Sequence, residues 1–388
     1  MWVATLVAAL GFLAVAVVTQ LFGYRLGGTI TIPILAVYTL KTALMLPVFV
    51  FSTAISFLGL YVLKRRTLIY GRDELVTAIL IGTLVPVAML FVYVEAGFEL
   101  RSIVFVGSIL PGLAAYNFHQ LKPEYRRGDV LTTVGLFLGL VAIGWALVTP
   151  GIARAYGTLT PPVLFSSTAD VAVAKDAVVA TAPEPPVVPR LVAVGVLTVG
   201  LAVAEALRSR FDVRVGVITA ALLAIFTLAN AWFLALYAVI FVVAFGLMEA
   251  TNWLTLRYGR VLLGTGTAVA LVFAVFVTLS LPISRGLTAF FTAVIAGVSA
   301  YNAHATAPRE NRLVLPLQIA VFVPTLLVIR LFSAPTPRGV PQTLSPVVWV
   351  AGAVVVGAAL LYARYRTIRQ PSDEAVLSGS ILSEGDGT

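Results

Sequence analysis

ITIPILAVYTL, residues 30–40, returns 188 positions later as ITAALLAIFTL, residues 218–228, with six of eleven positions identical. At the same offset TLIYGRDELVT (67–77) returns as TLRYGRVLLGT (255–265), with seven of eleven identical. GLAAYNFH (112–119) returns as GVSAYNAH (297–304), with five of eight identical and the offset shortened to 185. Apolar bias can align valine with valine. It does not align Tyr-Gly-Arg and Tyr-Asn-x-His with their own copies in the same order. The pattern reads as a duplicated membrane module.

Composition agrees. The chain of 388 residues is 60% hydrophobic and 11% charged, with a mean hydropathy of +1.01. Soluble domains carry about 25% charged residues, whereas many apolar runs here reach the roughly 20 residues that a bilayer span needs. The runs do not alternate polar with apolar, which argues for helices against a β-barrel. The chain has no cysteine and two histidines, so thiolate chemistry and a three-histidine metal site are excluded and no cofactor is expected. The net charge of +9 is mostly loop charge of the kind that sets orientation, and it does not point to nucleic acid.

The expected fold is an all-α polytopic membrane protein with about thirteen transmembrane segments. They fall near 2–22, 28–42, 43–63, 75–94, 102–118 and 129–149, then 191–207, 215–229, 231–251, 261–281, 287–303 and 313–331, with a last one at 346–363. Residues 1–149 form a first repeat and 190–332 a second, more diverged one. Residues 150–189 read as a mobile extracytoplasmic Pro/Ala/Val-rich linker, 333–365 carry an extra C-terminal helix, and 366–388 are a disordered cytoplasmic tail. Six segments per repeat is an even number, so the repeats are parallel rather than inverted. Basic clusters at Arg25, at Lys64-Arg65-Arg66 with Arg72, at Lys122 with Arg126-Arg127, and their counterparts at Arg208, Arg257, Arg309 and Arg364 then share one face. The excess of Lys and Arg on cytoplasmic loops makes that face cytoplasmic in a cell membrane and puts the N-terminus outside. Segments 28–42 and 215–229 are short for a full crossing, and the first opens with Gly27-Gly28 and contains Pro33. Paired short, interrupted segments mark a central site in transporter folds; a tightly joined, tilted helical hairpin is the plainer reading.

Four groups of residues carry candidate chemistry. Tyr70-Gly71-Arg72 and Tyr258-Gly259-Arg260 stand where a helix leaves the membrane: glycine permits the turn and arginine offers a fork for carboxylate or phosphate. A snorkelling arginine beside an interfacial tyrosine fits the same residues. Tyr116-Asn117-x-His119 and Tyr301-Asn302-x-His304 end the fifth segment of each repeat, as ligands for a carboxylate or partner loop or as helix-end packing. Pro111-Gly112 and Gly297 let helices approach closely. Arg101 and Arg285 sit near the outer face, as contacts for an emerging anionic polymer or for lipid phosphate.

The ordered set resembles a known family, the small membrane subunit of poly-γ-glutamate synthesis called PgsC or CapC. The matching residues are Gly28, Pro33, Tyr70-Gly71-Arg72, Arg101, Pro111-Gly112-Leu113 and Asn117. The resemblance covers about residues 1–149 and, more faintly, 190–332, so the chain looks like two tandem copies. It departs where the family's Pro-Gly is Pro33-Ile34 here and Ala221-Leu222 in the second copy, where Ala296 replaces Pro111, and where Tyr116 is inserted before Asn117.

The resemblance implies a non-catalytic integral subunit of a poly-γ-glutamate synthesis and export complex, a capsule-like anionic polymer. In that family the ATP-dependent amide ligation is attributed to a partner subunit (PgsB or CapB-like). The sequence itself has no phosphate-binding G-x-x-x-x-G-K-[ST] loop, no Ser/His/Asp set and no clustered carboxylates in a span. Under this reading the Tyr-Gly-Arg and Tyr-Asn-x-His corners dock the ligase, and Arg101 and Arg285 meet the polymer. A stand-alone secondary transporter or channel for a small anion is the alternative. It fits the repeat but lacks paired ionisable residues deep in the membrane. A membrane enzyme acting on a lipid-linked substrate ranks third.

Overall fold

A computed structural model describes residues 1–95, 109–182, 184, 186–211, 213, 216–306 and 311–368. Among them the chain is helical, with one isolated bridge, Ser166 to Ala180, and no strand. The helices are α1 (Trp2–Phe22), α2 (Thr31–Lys41), α3 (Met45–Arg66), α4 (Gly71–Glu95), α5 (Leu110–His119), α6 (Arg126–Leu147), α7 (Pro150–Tyr156), α8 (Asp170–Ala174), α9 (Arg190–Phe211), α10 (Val217–Ala229), α11 (Trp232–Thr255), α12 (Arg260–Ser280), α13 (Gly286–His304), α14 (Asn311–Phe332) and α15 (Pro346–Ile368). Against the thirteen transmembrane segments expected, eight helices among the described residues are long and apolar enough to cross a membrane: α1, α3, α6, α11, α12, α13, α14 and α15. This is an all-helical membrane protein.

The two short segments are real helices of 11 and 13 residues, and they lie inside the bundle. Every residue of α2 except Thr39 is buried. Pro33 is tolerated because it sits in the first turn, where its missing N–H has no partner to lose. A helix of 11 residues rises about 16 Å, roughly half the hydrocarbon core, so burial by neighbours rather than lipid accommodates its polar ends. α13 is buried along most of its length as well. The outer helices are the reverse. α3, α6 and α15 leave most of their apolar surface uncovered, as at Phe51, Leu58, Leu131, Leu138, Val350 and Leu361. Helices apolar all round with few buried positions are lipid-facing.

Packing links parts of the chain that are far apart in sequence. α3, α4 and α5 pack on one another, as do α11, α12 and α13. α1, α2 and α6 form another mutually packed set, as do α9, α10 and α14. The sets then cross: α1 lies along α12, and α4 touches α9. Gly264 makes the first crossing close, since a Cβ there would sit 2.9 Å from the Phe12 carbonyl oxygen.

Residues 150–189 differ from the expected mobile linker. Val163, Leu164, Phe165, Val171, Ala172 and Ala177 are fully buried against the bundle. The segment contains α7 and α8 and folds on itself through Val179 N–H to Phe165 O (2.8 Å) and Ser167 N–H to Ala180 O (2.8 Å). Its prolines suggested a spacer, but the Val-Leu-Phe run supplies apolar area whose burial, at about 25 cal/mol per Å², offsets the ordering cost. It caps the end of the bundle holding Met1 and Lys41, where the Met1 nitrogen donates to Pro161 O (2.6 Å).

Candidate functional site

The opposite end of the bundle, where α1 turns into α2, brings candidate residues from four elements together. α1 stops at Gly23, which adopts φ +68° and returns its N–H to Thr19 O. The chain then passes through Leu26 (φ +50°), Gly27 (φ +64°) and Gly28 (φ +110°) before α2 begins. That conformation exposes backbone N–H groups on one side, and Asp129, in the first turn of α6, closes on them. Its Oδ1 accepts from Arg25 N–H (2.6 Å) and Leu26 N–H (2.9 Å) while the side chain is almost wholly buried. Two charge-assisted bonds to backbone hold the turn in a shape that the side chain of Leu26 would otherwise resist.

Asn117 reaches the same turn from α5. Its Nδ2 donates to Leu113 O (2.8 Å) and, at 3.4 Å, to Gly27 O. A Cβ on Gly28 would lie 2.8 Å from that Nδ2, so the approach requires glycine there. The Asn117 Oδ1 accepts from Nη2 of Arg260 at 2.8 Å. Arg260 begins α12, directly after Gly259 at φ +68°, which turns the chain so that the guanidinium points inward. Its Nη1 is buried without a hydrogen-bond partner among the described residues. Arg25, Tyr116, Asp129 and Tyr301 are within its electrostatic reach. The result is a half-buried cation with an N–H that is unused among the described residues, held by the Asn117 amide beside the turn that leads into α2. This arrangement suits a carboxylate or another small oxyanion.

The other expected residues divide. Tyr70 and Tyr258 project outward, 80% and 82% exposed, beside the turn glycines Gly71 (φ +61°) and Gly259. The Arg72 side chain and Arg101 lie outside the described residues. Tyr116 packs on Leu60, Ala78 and Ala115. His119 stacks on Phe57 (ring centroids 4.1 Å apart) and its Nε2 meets Phe57 O at 2.9 Å, which ties α5 to α3. Tyr301 packs against the main core, and the Asn302 carbonyl accepts from Thr306 Oγ1. His304 Nδ1 pairs with Glu249 at 2.8 Å. Thus Asn117 and Arg260 meet, while both histidines bond locally. Pro111 opens α5, and Gly112 lies so close to α4 that a Cβ would fall 2.2 Å from Ala78 O; Gly297 stands likewise 2.9 Å from Thr267 Cα.

Four further charged residues were not anticipated. Asp129 is the first. Glu74, 1% exposed, bridges Lys64 Nζ (2.9 Å) and Gln120 Nε2 (2.9 Å), joining α3, α4 and α5. At the capped end Lys41, 6% exposed, donates to Thr168 Oγ1 (2.9 Å) and Ser166 Oγ (3.4 Å). There Glu184 accepts the Gly286 N–H at 2.9 Å, at the start of α13 and next to Arg285. Burial pushes the Glu184 carboxyl above its ordinary range, against the pull of Lys41, Gly286, Arg285 and Leu287. Burial likewise lowers Arg285, which Glu184 partly restores.

Fold and site together define a helical membrane protein with a buried cation at one end of its bundle. Residues 10–127 match the model of the capsule biosynthesis CapC family. That span runs from α1 to the start of α6, and includes Gly28, Pro33, Tyr70-Gly71-Arg72, Pro111-Gly112, Asn117 and His119, but ends before Asp129 and Arg260. No curated protein and no solved structure matches the chain.

Proposed function

We propose that the chain is a membrane subunit of a machinery that makes and exports an anionic capsule-type polymer, poly-γ-glutamate in the closest chemical reading, and that it consists of two CapC-like halves. The single observation that carries this is Arg260 meeting Asn117 at the Gly27-Gly28 turn of the family-matched region. A half-buried guanidinium with an Nη1 that has no partner among the described residues, steadied through Nη2 by Asn117, offers the charge and the donor that one carboxylate takes. The two-half reading is supported by the three repeated blocks and by helix pairs recurring in order: α1–α2 with α9–α10, α2–α6 with α10–α14, α3–α5 with α11–α13.

The Arg260 end also holds Lys64, Arg65, Arg66, Arg126 and Arg127, so by the positive-inside rule it faces the cytoplasm, and the end capped by residues 150–189 faces outward. A growing polymer would present carboxylates to Arg260 and Asn117 as it enters. The exposed Tyr70 and Tyr258 corners stand beside that entrance, where a cytoplasmic ATP-dependent ligase would dock. The chain itself supplies positioning and charge; amide bond formation belongs to the partner.

The test is deletion of the gene and complementation in its native host, with surface glutamate polymer measured and the tagged chain purified in mild detergent. Loss of polymer on deletion, with a ligase-like ATPase co-purifying, is the expected result. Unchanged polymer and a chain recovered alone would overturn the proposal in favour of an independent anion transporter.

A further inference from the structure

Tryptophan marks the two ends of the bundle unequally. Four of the five tryptophans lie at the capped end. The Trp2 indole donates to Tyr156 O (3.0 Å), and Lys175 sits over the ring of Trp145. Trp232 opens α11 two residues after Asn230, whose Nδ2 donates to Pro282 O just past α12 (3.1 Å). Trp349, in the first turn of α15, follows a loop whose Arg338 reaches the same Pro282 O (3.0 Å). Trp253 alone stands at the Arg260 end, in the last turn of α11. It is 21 positions from Trp232 on one helix, a rise of about 32 Å that matches the ~30 Å hydrocarbon core. α12, also of 21 residues, returns across the same thickness. Tryptophan collects at the two membrane–water interfaces, so α11 carries one at each. We propose that the corner joining α11 to α12, Trp253–Tyr258, is an anchor seated in the headgroup layer of the lipid bilayer.

The coat of the corner fits that layer. Trp253, Leu254, Leu256 and Tyr258 are 71–82% exposed side by side, and water is a poor neighbour for so much contiguous apolar surface. Nor can the corner leave the membrane. Only residues 256–259 link the two helices; at about 3.5 Å per residue, out and back, they reach about 8 Å beyond the helix ends, roughly the depth of the headgroup region. Leu256 (φ +52°) and Gly259 (φ +68°) fold the link sharply. Exposed Arg257 adds a donor fork for lipid phosphate. The first half has the same frame with a different coat. Thr67 Oγ1 closes α3 on Leu63 O (2.7 Å) as Thr255 Oγ1 closes α11 on Thr251 O (2.6 Å), and Leu68 and Tyr70 are exposed like Leu256 and Tyr258. At the 188-residue offset, however, Lys64-Arg65-Arg66 becomes Asn252-Trp253-Leu254. Three hydrated cations suit an acidic protein surface; an indole and a leucine side chain suit lipid. Docking of a partner then falls to the first corner; that division rests on the function proposed above, whereas the anchor does not. The anchor also bears on the site at that end. Gly259 and Arg260 follow Tyr258 at once, so its depth sets the depth at which the guanidinium meets Asn117.

The test is a full-length chain carrying Trp2→Phe, Trp145→Phe, Trp232→Phe and Trp349→Phe, so that Trp253 alone emits, reconstituted in phosphatidylcholine vesicles. The expected result is loss of emission with lipid brominated close to the headgroup, less loss as the bromines move down the chain, and little loss to iodide present on both sides of the membrane. Emission lost to iodide and spared by brominated lipid overturns the anchor and leaves the corner open to a protein. Strongest quenching from bromines at the chain ends overturns it too, since the indole would then lie in the hydrocarbon core. If the fourfold variant does not fold, Trp253→Cys in the otherwise native chain gives a single thiol, because the sequence has no cysteine. A spin label there should collide more often with oxygen dissolved in the bilayer than with a water-soluble nickel chelate; the reverse overturns the anchor. Polymer output enters neither measurement. A lipid-seated Trp253 in a chain irrelevant to polymer would sink only the function, and a water-facing Trp253 in a chain that supports polymer would sink only the anchor.

Discussion

The bond between Arg260 and Asn117 can be isolated by a double-mutant cycle with Asn117→Ala and Arg260→Met. The geometry sets the magnitude. It is one N–H···O bond of 2.8 Å with a charged donor, between side chains that are half-buried and buried. Hydrogen bonds to charged groups contribute about 1.5–3 kcal/mol in soluble proteins, while bonds between transmembrane helices average about 0.6 and reach about 1.7 kcal/mol. The pair sits at the end of the bundle, between these settings, so the coupling energy should be about 1–1.5 kcal/mol. Asn117→Ala alone should cost more than the coupling, because its bonds to Leu113 and Gly27 are lost too. Arg260→Met alone should cost less, since removing a half-buried cation recovers desolvation energy. The assay is reversible unfolding from mixed micelles by SDS, monitored by tryptophan fluorescence. Effects that add to within about 0.3–0.5 kcal/mol would refute the clasp, because independent sites behave in that way.

Two further outcomes are expected. Asp129→Ala leaves the Arg25 and Leu26 N–H groups without an acceptor, at about 1–3 kcal/mol each, and should destabilise the chain by about 2–4 kcal/mol in the same assay; a loss under about 1 kcal/mol would mean that the turn holds its shape unaided. Because burial raises the Glu184 carboxyl above its ordinary value of 4.5, the folded chain holds that proton more tightly than the unfolded chain, so its contribution is full below about pH 4.5 and is lost as pH rises through the folded value. Thermal unfolding of the native chain should therefore weaken relative to Glu184→Gln as the pH rises above about 4.5, and parallel curves would contradict the assignment.

Much of the architecture was legible because it rests on local signals. Apolar length gave the helices, and the Tyr-Gly-Arg glycines do take the positive φ that a turn demands. The short segments 28–42 and 215–229 were visible as anomalies, and they became the buried helices α2 and α10. What was hidden depends on contacts between distant parts. Each Tyr-Asn-x-His and Tyr-Gly-Arg set invited a reading within its own half. Instead Asn117 bonds to an arginine 143 residues away, a choice made by the crossing of α1 and α12 that no periodicity encodes. Glu184 stood alone among prolines, and nothing in its neighbours announced that α13 would begin beside it. Asp129 did carry a signal, an acid in the first turn of an apolar helix, which favours a backbone-binding role.

On the two-half reading, duplication also explains why the site is asymmetric. At the 188-residue offset Pro33 corresponds to Ala221, Lys41 to Ala229 and Glu74 to Leu262, and at 185 Pro111 corresponds to Ala296. In each case the first half keeps the polar or backbone-shaping residue and the second has an apolar one. Leu262 and Ala229 are buried where their counterparts carry charge, so these exchanges are packing solutions that need no partner. The second half has thus moved towards a scaffold, while retaining Gly259 and Arg260. That retention makes sense if Arg260 serves the first half's turn rather than its own. On that reading a single module would have to obtain this cation from a neighbouring copy, and two proposed halves in one chain would secure it.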